Sequence, residues 1–115
     1  MDALIYHNSR CSKSRATLAI LEEKEINFKL INYLEEVPTN EELKELIVDL
    51  GIEARDLMRK GEPEYKQNNL SDESLTDDQL IDSMVMNPIL IERPIVRTDK
   101  GVVIGRPPEN ILKII

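Results

Sequence analysis

The stretch His7-Asn8-Ser9-Arg10-Cys11-Ser12-Lys13-Ser14-Arg15 holds the only cysteine of the 115-residue chain, set among polar and cationic side chains. A lone cysteine is more often a small buried hydrophobe than a reagent. The neighbours of a core cysteine are apolar, however, and these are Arg, Ser, Lys and Ser. The apolar run Ala3 to Tyr6 stops at the turn formers Asn8 and Ser9, and a helical pattern opens directly behind Cys11. That order places the sulfur over a helix N-terminus, where the first backbone N–H groups lack intrahelical acceptors and the aligned peptides add roughly half a positive charge. Arg10, Lys13 and Arg15 add cations of their own. All of this favours thiolate, the reactive form. Cys11 is therefore a candidate nucleophile. The position at which a Cys-x-x-Cys motif would carry its second thiol is Ser14, so no disulfide can close within the chain. A redox cycle has to borrow its second thiol from another molecule.

His7, the only histidine, has two readings. As imidazolium it would lower the Cys11 pKa, and as a neutral ring it would pack at the strand end. One His and one Cys make no metal-ligand set, so no metal is expected.

The elements that must position these residues follow from periodicity. Ala3 to Tyr6 reads as a buried strand, and residues 12–24 as a helix with Ala16, Leu18, Ala19 and Leu21 on its apolar face. Residues 28–33 form the second strand of a βαβ unit, whose crossover is right-handed. From residue 35 the pattern turns helical. Thr39-Asn40-Glu41-Glu42 and Thr76-Asp77-Asp78-Gln79 are capping boxes. Leu43, Leu46, Ile47 and Leu50 give an amphipathic helix ended by Gly51, and Ala54 to Lys60 gives a shorter helical piece. Residues 62–74 read as irregular, and Leu80, Ile81, Met84 and Val85 point inward from a helix stopped at Asn87-Pro88. Strands return at 95–97 and 102–104 as a hairpin, and Pro108 opens a final helix with Ile111, Leu112 and Ile115 inward. The fold class is α/β: one thioredoxin-like domain over residues 1–115, with a mixed four-stranded sheet and an all-helical insertion over about 35–88.

Charge is distributed unevenly over this order. Residues 35–92 carry 16 acidic and 5 basic side chains, whereas both ends are net basic, so an anion could still be bound where the ends meet. The whole chain, at −7, repels nucleic acid, and no basic stripe argues otherwise. No apolar run nears the ~20 residues of a membrane span, and no leader pattern opens the chain. With a single cysteine, which suits a reducing compartment, a cytoplasmic monomer without membrane contact is expected.

His7-Asn8-x-x-Cys11-x-x-Ser14-Arg15, Leu57 to Lys60, Thr76 to Asp82, Asn87 to Val96 and Gly105-Arg106-Pro107, in that order, resemble the glutaredoxin-linked arsenate reductase family. The resemblance implies a thioredoxin-superfamily fold and reduction of arsenate to arsenite. It also implies no bound cofactor, with glutathione as co-substrate and glutaredoxin as partner. Cys11 matches the family nucleophile, with His7 and Ser14 beside it as catalytic positions. Arg59, Arg93 and Arg106 match the oxyanion-binding arginines, with Asn8 and Arg15 around the thiolate, and Pro94 is the cis-proline candidate. The physical case for the arginines stands separately. Guanidinium forks hold tetrahedral oxyanions bidentately and stay charged. Opposite unit charges about 4 Å apart attract by about 4 kcal/mol at an effective dielectric of about 20. Arg59, lying in the acidic segment, can equally be a salt-bridge partner. Ser9, Ser12 and Lys13 depart from the family pattern. Two other activities share the framework: a glutathione-dependent thiol reductase with another substrate, and an Spx-like regulator that binds RNA polymerase. The latter proteins typically use Cys-x-x-Cys, which Ser14 removes.

Overall fold

A computed structural model describes residues 2–115. The strand β1 (Asp2–His7) runs between two neighbours. On one side it pairs in parallel with β2 (Asn27–Asn32), His7 opposite Asn32. On the other it pairs antiparallel with β3 (Ile95–Thr98), Ile5 opposite Val96. The hairpin partner β4 (Gly101–Ile104) completes a mixed sheet of order β2-β1-β3-β4. The two-residue turn at Asp99 and Lys100 is closed by the Lys100 amide on Thr98 Oγ1, and by Gly101 at φ +146°. Helix α1 (Ser12–Glu23) makes the β1–β2 crossover. This is the thioredoxin-like α/β arrangement the sequence implies.

The chain divides into two compact units, residues 2–36 with Arg93–Ile115, and Val37–Glu92. In the first, the buried residues Ala3, Ile5, Leu21, Val96, Ile111 and Ile114 form the core. Two expectations are corrected there. The inward face of α1 is Ser14, Thr17 and Leu21, with Ala16 and Ala19 exposed. The two hydroxyls tolerate burial because each is bonded, Ser14 to His7 and Thr17 to the Lys13 carbonyl. The last segment, Pro108–Lys113, is a 3₁₀ helix rather than an α-helix. Side chains three apart then eclipse, so Ile111 and Ile114 go inward while Leu112 is exposed.

The second unit is the helical insertion. Helix α2 (Asn40–Leu50) starts at Thr39, whose side chain accepts from the Glu42 amide, and ends at Gly51 in the left-handed region, φ +69°. Helix α4 (Asp77–Met86) starts with a complete capping box between Thr76 and Gln79. Leu43, Leu46, Leu57, Leu80, Ile81, Met84 and Leu90 are buried; Val85 is only partly so. The expected helix over 54–60 shrinks to a 3₁₀ turn, Ala54–Leu57, since Met58 turns extended to bridge Ile91. The stretch read as irregular contains a short helix, α3 (Pro63–Gln67). Arg55 fastens it, donating to Tyr65 Oη and to the carbonyls of Leu70 and Asp72. Among the described residues no helix is long and apolar enough to cross a membrane.

Candidate active site

Everything at the end of β1 is arranged around a short polar turn. Asn8 is buried and shapes it through three bonds. Its side-chain oxygen accepts from the Arg10 amide at 3.0 Å, its carbonyl accepts from the Cys11 amide at 3.0 Å, and its own amide donates to Ser14 Oγ at 3.0 Å. A short carboxamide that folds back on the chain two residues on is what stabilises such a turn. Arg15 reaches back from α1 to the Ser9 carbonyl at 2.9 Å. The result delivers Cys11, in extended conformation (φ −93°, ψ +123°), as the N-cap of α1, its carbonyl accepting from the Arg15 amide.

The sulfur is half-buried, and burial is the largest single influence on it, pushing the thiol pKa up. That is outweighed by hydrogen bonds from the Ser14 amide, the Arg93 side chain and the Lys13 amide, together with the Arg93 charge, so the net shift is downward from the usual 9.0. Arg106 Nη1 lies 3.7 Å from Cys11 Sγ. Two guanidiniums from beyond residue 90 thus meet a helix N-terminus from the start of the chain, all within the first unit. Arg93 is buried and Arg106 exposed. One is a fixed wall of the site and the other lies at its solvent side.

His7 is buried, and burial, followed by the Arg15 charge, pushes its pKa below the usual 6.5. The ring is therefore neutral at pH 7. Ser14 Oγ, which already accepts from the Asn8 amide, lies 2.7 Å from His7 Nδ1. Either tautomer of the neutral ring completes this pair, Nδ1 accepting the hydroxyl proton or donating to the second lone pair of Oγ. Of the two readings open to His7, the site favours the neutral one. The ring fixes Ser14, whose amide faces the sulfur.

Arg59 lies in the second unit. Its Nη1 donates to Glu92 at 2.7 Å and its Nε to Glu62 at 3.2 Å, and its amide donates to the Leu90 carbonyl at 2.7 Å. Burial disfavours its charge, and the two carboxylates more than restore it. Pro94 follows a cis peptide bond after Arg93, and so does Pro107 after Arg106. The Pro94 carbonyl accepts from the Gly105 amide at 2.8 Å.

The Lys13 amide is one of the helix-start donors that the sequence order implies. Gly105 has a role that the sequence reading did not see. A Cβ there would lie 2.6 Å from Thr17 Oγ1 and 2.8 Å from Pro94 Cγ, so this position couples α1 to the Pro94 turn by bare backbone. The signal available was a glycine directly before Arg106-Pro107. Among the described residues no group of three or more His, Cys, Asp or Glu could hold a metal ion.

The ArsC family profile matches residues 6–114. The chain is 48% identical to Escherichia coli (strain K12) "Uncharacterized protein YfgD", covering 96% of this chain and 94% of that one. It is 45% identical to the arsenate reductase of the same organism, over 96% of this chain and 79% of the relative. Its structure is similar to an arsenate reductase from Vibrio cholerae, TM-score 0.97 at 50% identity, covering 100% of this chain and 98% of that one.

Proposed function

The chain belongs to the ArsC family, and from that premise we propose that it is an arsenate reductase using Cys11 as nucleophile, with glutathione and glutaredoxin supplying the second thiol. The observation that carries this reading is the gathering of positive donors on one sulfur: the Arg93 side chain, the Ser14 and Lys13 amides, and Arg106 at 3.7 Å. Donors that stabilise a thiolate also suit a tetrahedral oxyanion brought against it, and they offset the repulsion between the two anions.

In the first step the Cys11 thiolate attacks arsenic, an S–As bond forms and an arsenate oxygen leaves as water after taking up protons. Arg93 and Arg106 balance the charge on the remaining oxygens. Glutathione thiolate then attacks Cys11 Sγ. The S–As electron pair departs with arsenic, which leaves as arsenite two electrons richer, and the two sulfurs are oxidised to a Cys11–glutathione disulfide. Glutaredoxin thiolate attacks the glutathione sulfur and releases Cys11 as thiolate. A chain whose only cysteine is Cys11 needs such external thiols. His7 and Ser14 hold the first turn of α1 in place, and Asn8 and Arg15 hold the loop that presents the sulfur.

The deciding experiment is arsenate-dependent oxidation of glutathione in the presence of glutaredoxin, comparing wild type with Cys11→Ser. Turnover by wild type and loss of at least about a thousandfold in the variant is expected; equal rates would reject the proposal. Glutathionylated peptide, offered in the same assay in place of arsenate, is expected to be the poorer substrate.

A further inference from the structure

A concavity of about 280 Å³ opens in the first unit, lined by Asn8, Ser9, Arg10, Asn32, Leu34 and Glu35. One wall is the three residues leading directly into Cys11, and the other is Asn32 at the end of β2 with Leu34 and Glu35 after it. Both walls are anchored. Asn8 is buried and bonded into its turn. Across from it, the Asn32 carbonyl accepts from the Glu35 and Glu36 amides at 3.0 and 2.8 Å, and Tyr33 between them is fully buried. The parallel pairing of His7 with Asn32 holds the two walls in register.

We propose that this concavity is the docking site for the thiol co-substrate, a small zwitterionic peptide of the γ-glutamyl type, bound with its sulfur toward Cys11. The inference rests on the thiol-dependent reading above. Its volume is at the small end of ligand pockets, about 300 Å³ upward, which fits a tripeptide and not a folded partner. Its charges are one of each sign, Arg10 and Glu35. A bare oxyanion gains nothing from Glu35, whereas a peptide carrying both carboxylates and an ammonium can use the two together. Glu35 takes the α-ammonium and Arg10 a carboxylate. The carboxamides of Asn8 and Asn32 face the peptide bonds, and Leu34, 38% exposed, covers the methylenes. The location suits the second chemical step in that Asn8, Ser9 and Arg10 lead directly into Cys11, while Arg93 and Arg106 are not among the lining residues.

The test uses S-methylglutathione, which binds without reacting, titrated into the full chain and followed by amide NMR without arsenate. Amide shifts concentrated at residues 8–10 and 32–35 are expected. The same thioether lacking the α-amino group should bind about tenfold more weakly, and Glu35→Gln should abolish that preference. Absence of shifts at those two segments, or a preference that survives Glu35→Gln, overturns the proposal. Because no arsenate is present, a wild type that binds in this way yet fails to reduce arsenate would sink the arsenate reading and leave the docking site standing.

Discussion

In the sheet-bearing unit Arg93 gives a side-chain hydrogen bond to the Cys11 sulfur, whereas in the helical unit Arg59 is gripped by Glu62 and Glu92. The difference has a compositional cause. Residues 37–92 carry 14 acidic side chains against 5 basic, while the rest of the chain carries 8 against 10. A guanidinium in the first setting finds carboxylates wherever it turns. In the second it can be turned toward a sulfur and an incoming anion. The local balance of charge therefore decides whether the hydrogen bonds of an arginine go to carboxylates.

Arg93→Ala should break the comparison most sharply. Loss of one donor to the developing charge is expected to cut kcat/KM for arsenate by about a hundredfold, about 2.7 kcal/mol. It should also raise the pH midpoint of Cys11 alkylation, since the Arg93 hydrogen bond and charge hold the thiol pKa down. Unchanged arsenate kinetics in that variant would mean that Arg93 serves the thiol alone. Gly105→Ala comes next. Its Cβ would push on Thr17 and Pro94, and overpacking of this kind costs about 1–3 kcal/mol in denaturant unfolding.

Smaller effects belong to the helical unit. Thr76→Ala removes a complete capping box and should cost about 1 kcal/mol, with the alkylation midpoint of Cys11 unmoved; a displaced midpoint would show that the insertion tunes the thiol. The smallest effect is a pH dependence in the first unit. The His7 pKa is lowered by folding, so its contribution is fully present above the unfolded value of 6.5 and is lost as pH falls through the folded one. Wild-type stability should therefore decline below pH 6.5 with a component absent from His7→Asn. Identical slopes for the two proteins would place the titration elsewhere.

Much of this was readable before any coordinates. The capping threonines, the Gly51 stop, the hairpin and the cysteine's place at a helix start are local features, set by side chains within a few residues of one another. The errors share a different cause. Ser14 and Thr17 face inward on α1 because His7 and the Lys13 carbonyl await them, and hydropathy periodicity assigns such hydroxyls to solvent. The C-terminal segment turned on a choice between 3₁₀ and α spacing, which Ile111 and Ile114 settle only by packing in the core. The short α3 depends on Arg55 reaching residues ten to seventeen positions away.

By itself, then, the amino-acid order determined a single thiol on a cationic turn, a βαβ start, an acidic helical insertion and a basic return. Local hydrogen bonds and side-chain period specify each of these within one or two turns of chain. Only the tertiary structure decided which arginine meets the sulfur and which state His7 holds. The arginine contacts join segments far apart in the chain, and the state of His7 is set by burial together with the nearby Arg15, neither of which hydropathy period records.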